Sequence, residues 1–364
     1  MNKEIEFWLM LSRIENLRPQ KKLELVMTLG NASKVYEADA GMLMRAGFSK
    51  QQYDHFHGDE IRTEVNRILE TCGKKRIDIL TISDEEYPEM LKYISDPPLV
   101  LYVRGYIPKS NSIAIVGSRK ASGYGIETAN KMAFNLALAD INIVSGMARG
   151  IDTAAHAGAL EADGETVAVL GCGVDVAYPP ENRSLMERIS DSGAVISEFP
   201  PGTPPSPMNF PGRNRIISGM SIGTLIVEAG MKSGSLITAN YALEQGRDVF
   251  AIPGNINNYN SMGTNRLIKD GAKIVLSVDD ILDELSFGSS PLVKKSRKRK
   301  KNRTANLGVK EKKIINALKI EDLFDEELSE KTSIQLIELF EILLELELNG
   351  LVKKSINGKY MLIS

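Results

Sequence analysis

The stretch FPGRNRIISG places one aromatic ring, two guanidinium groups and an amide close together, as Phe210, Arg213, Asn214 and Arg215. Arginine presents a planar fork of donors that suits phosphate and carboxylate alike, so either arginine can bind a phosphate or join a loop to an acidic side chain. On a helix, Arg213 and Arg215 would point to different sides because they are two residues apart. Phe210 offers either a stacking face for an unpaired base or an ordinary core contact.

Two further groups of candidates follow strand-like runs. IAIVGSRKASGYG ends a predicted strand in Gly117, Ser118 and Arg119, and VSGMARGID ends the next strand near Gly146 and Arg149. Small residues let backbone N–H groups approach an anion, and the positive end of the following helix adds to the attraction. The alternative at each place is a tight turn with a solvated arginine. Two such arginines at two strand ends favour a shared anion site.

A third run, GTLIVEAGMKSGSLITANYA, has Glu228 at its strand end, followed by Lys232, Ser233 and Ser235 before a helix. Lys232 and the backbone amides of the SGS segment suit a phosphate. Glu228 either accepts a hydrogen bond from a base edge or orients one of the arginines. The Asn-rich run GRDVFAIPGNINNYNSMGTNRLI is expected to form another wall of the same cleft.

The sequence offers little support for catalysis or for a metal. It has no P-loop lysine motif, and His156 is expected to pack in the core because no Ser or Cys nucleophile motif accompanies it. Two cysteines and three histidines support neither a disulfide framework nor a zinc site. One enzymatic alternative stays open, since SIGTLIVEAG resembles the second half of the PGGxGTxxE loop of nucleotide phosphoribohydrolases, with Glu228 at the acid. Met220-Ser221-Ile222 stands where that loop has Pro-Gly-Gly.

The elements that position these side chains alternate between strand and helix over residues 76–288. Near-continuous Val, Ile and Ala strands are typical of a parallel sheet buried on both faces, so a Rossmann-like α/β domain with helices on both faces is predicted. Ligands in such folds bind at the carboxyl ends of the strands. The predicted strand-like runs are SIAIVGS, INIVSG, TVAVLGCG, AVISE, GTLIVEAG, DVFAIPG and AKIVLS.

Two smaller domains are predicted to flank this one. Residues 1–75 indicate short helices of the sterile-alpha-motif or helix-hairpin-helix kind, and residues 305–364 indicate helices and a hairpin, as in a winged helix. The candidate recognition helix carries four glutamates and no basic residue, so we interpret this domain as a protein-contact module rather than a duplex reader. Residues 289–304, between the α/β domain and the C-terminal domain, are predicted to be a basic linker.

Composition sets the class of protein. The chain has 364 residues and a formal charge of −2, with 43% apolar and 25% charged residues, which suits a multidomain globular protein. Eight of its 45 basic residues lie in KKSRKRKKNR, 294–303, leaving 37 basic against 47 acidic residues elsewhere. Neither a long apolar run nor a signal-peptide pattern is present, which predicts no membrane span and a cytoplasmic location.

Six segments in order resemble the motifs of the DprA/Smf family, also called DNA-processing protein A: GSRKASGYG, SGMARGIDTAAH, LGCGVDVAYPPEN, FPGRNRIISGMS, EAGMKSGSLITA and GRDVFAIPG. The likeness spans about residues 80–285. It implies a homodimer that binds single-stranded DNA without catalysis or a cofactor. It further implies that the protein loads the recombinase RecA onto strands covered by single-strand-binding protein, notably in natural transformation. Carried over by motif, it points to these residues: Arg119, Arg149, Phe210, Arg213, Asn214, Arg215 and Lys232. Glu181 stands where members can have lysine.

A last alternative is a protein scaffold whose glycines serve only packing. Such a scaffold would show no salt-dependent affinity for DNA, since that dependence comes from neutralised phosphates.

Overall fold

The computed structural model describes residues 3–287, 308–319, 321–348, 351–355 and 358–362. The chain divides into two compact units, Met1–Gly288 and Ser289–Ser364. The predicted basic linker, 289–304, lies outside the described residues. In the described part of the chain, no helix is both long and apolar enough to cross a membrane.

Six helices begin the larger unit: α1 (Lys3–Ser12), α2 (Pro19–Leu29), α3 (Ala32–Glu37), α4 (Ala40–Arg45), α5 (Lys50–His57) and α6 (Asp59–Lys75). Several starts are encoded locally, because the side chains of Asn31, Asp39 and Ser49 accept hydrogen bonds from first-turn backbone N–H groups. The helical N-terminal region is thus confirmed. One hydrophobic cluster joins Trp8 of α1 to Val169 of the following sheet, and the domain boundary at residue 75 stays a prediction.

The larger unit continues as a sheet, for which the described residues provide nine strands: β1 (Asp78–Thr81), β2 (Val100–Gly105), β3 (Ser112–Val116), β4 (Asn142–Ser145), β5 (Thr166–Leu170), β6 (Gly193–Ser197), β7 (Gly223–Ile226), β8 (Asp248–Ala251) and β9 (Lys273–Ile274). The spatial order is β1-β2-β6-β5-β4-β3-β7-β8-β9. Pairing is parallel from β6 through β9, whereas β1 and β2 join one edge in antiparallel orientation.

Helices connect these strands: α7 (Glu89–Lys92), α8 (Gly123–Leu138), α9 (Ile151–Glu161), a 3₁₀ turn (Pro180–Asn182), α10 (Arg183–Asp191), α11 (Asn209–Gly219), α12 (Gly234–Glu244), α13 (Tyr259–Lys269) and α14 (Val278–Phe287). Strand β3 shows that both sheet faces are covered, since Ile113 and Ile115 belong to one hydrophobic cluster and Ala114 and Val116 to another. The mostly parallel, Rossmann-like fold predicted from the apolar runs is therefore confirmed.

One predicted strand is shorter than its apolar run. The run AKIVLS covers residues 272–277, but β9 ends at Ile274. The carboxylate of Asp280 accepts hydrogen bonds from the backbone N–H groups of Leu276 and Ser277, both at 2.8 Å. These two groups cap the start of α14 and are unavailable to the sheet, which is why the strand stops.

The strand order reverses at β3, which pairs with β4 on one side and with β7 on the other. In open α/β sheets, the connections on the two sides of such a switch point leave in opposite directions and open a crevice at the carboxyl ends of the strands. The loops after β3, β4 and β7 meet there. They carry most of the residues that the sequence singles out.

The smaller unit contains α15 (Val309–Leu318), α16 (Asp325–Thr332) and α17 (Leu336–Leu348), followed by β10 (Val352–Lys354) and β11 (Tyr360–Leu362). The two strands pair in antiparallel fashion, and a separate hydrophobic cluster holds the unit together. Three helices followed by a hairpin match the predicted winged-helix-like arrangement. Helix α16 was not predicted. Residues 356 and 357, between the two strands, lie outside the described residues.

Candidate nucleic-acid interface

The loops at the switch point and helix α11 enclose a cleft of about 640 Å³. A smaller recess of about 30 Å³ adjoins it and shares the side chains of Arg119, Tyr178, Phe210 and Arg213. Most of the predicted site residues line one or both: Gly117, Ser118, Arg119, Gly146, Arg149, Phe210, Arg213, Asn214, Lys232, Ser233 and Ser235. Arg215 and Glu228 line neither.

Backbone contacts fix the loops against one another. The N–H of Ser118 donates to the carbonyl of Glu228 at 2.7 Å, and the N–H of Ile151 donates to the carbonyl of Ser118 at 3.3 Å. Gly150 has φ +78°, and a Cβ added there would lie 2.3 Å from the Ser118 carbonyl oxygen. Only glycine fits this close approach, which brings the second strand-end loop against the first.

Three cations stand at the rim of the cleft. The side chains of Arg119, Lys120 and Lys232 are exposed, and within the described residues none of them has a hydrogen-bond or ion-pair acceptor. Lys232 precedes α12, whose first turn also presents the hydroxyls of Ser233 and Ser235, 2.7 Å apart. Exposed ammonium and guanidinium groups beside a helix start attract anions. The rim therefore presents uncompensated positive charge to the cleft.

Arg149 differs from the other rim cations because it is already paired. Its Nε and Nη2 donate to the two carboxylate oxygens of Glu181, the second at 3.1 Å. This hydrogen bond raises the pKa of Arg149 further and lowers the pKa of Glu181. This ion pair lies at the recess, because Arg149 is one of the residues that line it.

An aromatic pair separates the cleft from the recess. The rings of Tyr178 and Phe210 stack with centroids 5.5 Å apart and planes inclined by 20°. The guanidinium carbon of Arg119 lies 5.2 Å from the centroid of Phe210, and that of Arg213 lies 5.8 Å from it. Phe210 is half-buried: it packs against its neighbours and presents part of its ring to the cleft. Stacking of a base on this ring stays a prediction.

Arg213 lies in the floor of the cleft rather than at its rim. Its side chain is buried, with the residue only 3% exposed, and Nη1 donates to the carbonyls of Gly146, at 2.9 Å, and Val169. Burial lowers the pKa of Arg213 to about 10, so the group stays charged at neutral pH. It joins two strand ends and adds positive potential to the cleft floor.

Arg215 faces the opposite way, as the two-residue spacing predicts. It forms a two-pronged ion pair with Glu198, with both N–O distances 2.7 Å, and a second ion pair with Asp96 at 3.0 Å. Hydrogen bonding to Glu198 outweighs burial and raises the pKa of Arg215. The structural alternative is therefore correct for this arginine, but its partner is not Glu228. We leave Arg215 out of the interface.

Glu228 holds the loops together and is only 2% exposed. Its carboxylate accepts hydrogen bonds from the N–H and hydroxyl of Ser122, the first at 2.9 Å, and from the amide of Asn260 at 3.3 Å. Neither expected role is seen, since it contacts no arginine and does not line the cleft. Ser122 caps α8, so Glu228 fixes the first loop and the start of that helix.

Two buried titratable groups lie on α9. The carboxylate of Asp152 accepts hydrogen bonds from the N–H groups of Gly146, at 3.2 Å, and Ala148, at 3.3 Å, and burial raises its pKa to about 6. His156 is fully buried, and Nδ1 lies 2.7 Å from the hydroxyl of Thr166. Burial lowers the pKa of His156 to about 3. His156 is a core residue, as expected.

Comparison with known proteins supplies the family. The family model of DNA recombination-mediator protein A matches residues 78–286. The chain belongs to this family. The DNA processing protein DprA of Streptococcus pneumoniae is 46% identical over 57% of this chain and 74% of its own length. The Smf protein of Escherichia coli is 38% identical over 78% of this chain and 76% of its own length.

Two solved structures of DprA proteins resemble this chain. The X-ray structure of the Streptococcus pneumoniae protein has a TM-score of 0.67 and 36% identity, covering 77% of this chain and 97% of the other. The Helicobacter pylori protein has a TM-score of 0.53 and 28% identity, covering 59% of this chain and 98% of the other. The latter structure is described as showing a single-stranded DNA binding mode of that protein.

Several residues that line the cleft were not singled out individually from the sequence, among them Lys120, Tyr178, Tyr259 and Asn260. The prediction that the Asn-rich loop forms a wall of the cleft is confirmed, since Tyr259 and Asn260 belong to it. Lys120 follows Arg119 directly, so its charge was visible in the motif. Tyr178 offered no local signal, because its packing against Phe210 depends on the fold. Among the described residues, no cluster of three or more His, Cys, Asp or Glu side chains could hold a metal ion.

Proposed function

We propose that this chain binds single-stranded DNA in the cleft at the switch point and serves as a recombination mediator without catalysing a reaction. The observation that carries the proposal is the convergence of the exposed, unpaired cations Arg119, Lys120 and Lys232 on a cleft that contains an aromatic pair. Neutralising phosphates supplies most of the non-specific affinity for nucleic acid. Aromatic faces accept any base, at about 1–3 kcal/mol per base.

The shape of the site favours a single strand over a duplex. The cations surround a cleft of about 640 Å³ rather than lying along an open surface. A flexible strand can turn its phosphates and unstacked bases into such a cleft, whereas a stiff duplex cannot. We expect binding that is tolerant of sequence and sensitive to salt. The name of the Helicobacter pylori structure, which concerns single-stranded DNA, supports the same ligand.

The experiment that tests this proposal is fluorescence anisotropy with a labelled oligo-dT strand and a matching duplex, across a salt series. The double variant Arg119→Ala/Lys232→Ala should bind the strand about tenfold more weakly or worse, and its log K against log salt slope should be shallower by about 1.4, or 0.7 for each lost phosphate contact. Its fold should be intact, because both side chains are exposed.

A matched control is Lys109→Ala/Arg188→Ala, which removes one exposed lysine and one exposed arginine away from the cleft. Equal losses in the two double variants would show that affinity follows net charge rather than this cleft. A wild type that binds no oligo-dT would refute the proposal outright. Binding that is as strong for the duplex as for the strand would refute its selectivity.

We further propose that the bound strand is handed to RecA, with the chain acting as a homodimer on DNA that carries single-strand-binding protein. The family's description as a recombination mediator supports this role. Adding the chain should shorten the lag of RecA ATP hydrolysis on strands covered by single-strand-binding protein, and Arg119→Ala/Lys232→Ala should not shorten it. An unchanged lag with wild type would remove RecA loading from the proposal and leave DNA binding intact.

The smaller unit is proposed to contact protein rather than duplex DNA. Its helix α17 carries exposed Glu341 and Glu345, together with exposed Ile337 and Phe340. Carboxylates repel a phosphate backbone, and exposed apolar side chains beside them are typical of a protein contact.

The hydrolase alternative receives no support from the site. Its catalytic acid would be Glu228, whose carboxylate is occupied by Ser122 and Asn260 and does not line the cleft. Incubation with nucleoside monophosphates should release no free base by chromatography. Release that is lost in Glu228→Gln would make the chain an enzyme.

A further inference from the structure

The ion pair between Arg149 and Glu181 lies at the recess that adjoins the cleft, whereas Arg119, Lys120 and Lys232 have no acidic partner among the described residues. We infer that Glu181 competes with DNA phosphate for Arg149 and thereby limits the affinity for single-stranded DNA. This inference rests on the proposed function, because Arg149 lines the recess that adjoins the cleft. It gives Glu181, which does not itself line the cleft, a role in selecting which anions bind.

The geometry of the pair is that of an occupied phosphate site. Nε and Nη2 of Arg149 donate to both carboxylate oxygens of Glu181. A phosphate presents two oxygens to the same fork, so phosphate and carboxylate exclude each other. The side chain of Arg149 is 60% exposed and that of Glu181 is 50% exposed, so a strand can reach the fork from solvent.

The position of Glu181 is held by the fold. Glu181 lies in the 3₁₀ turn Pro180–Asn182, and Asn182 is buried. The amide of Asn182 donates to the carbonyl of Met147 at 3.0 Å and to the hydroxyl of Thr153 at 2.8 Å. Met147 belongs to the same strand-end loop as Arg149. The turn is therefore anchored to the loop whose arginine it neutralises, and the two charges stay neighbours without a ligand.

The strength of the pair suits displacement rather than permanent blockade. Exposed ion pairs are weak because water and salt screen both charges. A strand already held by Arg119 and Lys232 presents its next phosphates at high effective concentration, and so can replace Glu181. An isolated phosphate lacks this high effective concentration and therefore replaces Glu181 less readily. Glu181 thus lowers affinity overall and favours a polyanion that contacts several cations together.

The test is a double-mutant cycle measured by oligo-dT anisotropy with the full chain. Glu181→Gln keeps the size of the side chain and removes the charge, so it should tighten binding about two- to fivefold, the range of weak surface pairs. Its salt slope should become steeper by less than about 0.7, because Arg149 contacts a phosphate in both proteins and only the wild type gives up an ion pair to do so. In an Arg149→Ala background, Glu181→Gln should change affinity by less than about 1.5-fold.

The control is Glu187→Gln, which removes another exposed ion pair, with Arg104 at 2.6 Å, outside the cleft. It should leave affinity unchanged. Equal tightening by Glu181→Gln in both backgrounds would show general charge repulsion and overturn the competition. No tightening in a wild type that binds oligo-dT would overturn it as well. A wild type that fails to bind oligo-dT would instead refute the proposed function.

Discussion

The rim of the cleft and the layer beneath it are built from the same residue types in opposite environments. At the rim, Arg119 and Lys232 are exposed, and no described residue accepts a hydrogen bond from them. In the layer beneath, Arg213 and Arg215 are 3% and 8% exposed and are bonded to carbonyls or carboxylates. An arginine in these motifs therefore stays available to a ligand where the fold brings no acceptor to it, and stabilises the fold where it does.

This difference separates two kinds of consequence. Removing a rim cation takes away an attraction for phosphate, which costs affinity but little stability. Removing a cation of the layer leaves a carboxylate or carbonyl without its partner, which costs stability whether or not DNA is present.

Arg215→Ala should produce the largest effect, lowering the free energy of unfolding of the larger unit by about 3 kcal/mol. The reason is that Glu198, with its side chain 21% exposed, loses both N–H partners. The partial exposure of Glu198 places the loss at the low end for a buried pair. Urea denaturation can be followed by the fluorescence of Trp8, the single tryptophan, which lies in the same hydrophobic cluster as Ile216 of α11.

The rim variant Arg119→Ala serves as the control in that experiment and should change the unfolding free energy by less than about 0.5 kcal/mol. Equal denaturation midpoints for the two variants would erase the distinction between rim and supporting layer. A stable Arg215→Ala that binds oligo-dT weakly would return Arg215 to the interface.

Phe210→Leu tests a residue on the border between the two regions. If the ring contacts a base, oligo-dT affinity should fall by about 1–3 kcal/mol, because leucine has no aromatic face. Phe210→Tyr should restore most of the affinity. Phe134→Leu is a matched control, since Phe134 is half-buried on α8 and lines no part of the cleft. Lost stability with unchanged affinity in Phe210→Leu would make Phe210 a core residue only.

The sequence predicted the sheet and the edge at which the candidate residues gather, for a clear physical reason. Strands such as β3 and β5 are buried along their whole length, so they appear as unbroken apolar runs. The glycines that follow them mark close approaches, as at Gly150. The edge strands β1 and β2 were not predicted as part of the sheet, because their antiparallel pairing has no local signature.

The supporting layer was harder to predict because its contacts are distant in the sequence. Arg215 finds Glu198 17 residues away and Asp96 119 residues away, and nothing in FPGRNR specifies either partner. The ion pair of Arg149 with Glu181 spans 32 residues. Sequence motifs therefore indicated which residues gather at the cleft, whereas the fold determined which of their charges remain available.

The smallest expected effect is a pH dependence of oligo-dT affinity that arises from a buried carboxyl group, Asp152. Asp152 lies in the floor of the cleft, and the charged groups that face it are Arg213 of α11 and Arg119 of the first loop. Burial raises its pKa to about 6, above its unfolded value. The protonated carboxyl of Asp152 therefore favours the folded state. This contribution to stability is complete at acid pH, below the unfolded pKa, and is lost as pH rises through about 6. Above that pH the ionised carboxylate also lowers the positive potential of the cleft.

Oligo-dT affinity should therefore rise a few-fold when pH falls from about 7.5 to about 5.5, as Asp152 becomes neutral. Asp152→Asn is neutral at both values and still offers an oxygen to the N–H groups of Gly146 and Ala148, so its affinity should change less over the same interval. Anisotropy at constant ionic strength measures the difference between the two proteins. An equal rise in both would assign the pH dependence to exposed carboxylates, and the buried layer would then hold the cleft in shape without adjusting its charge.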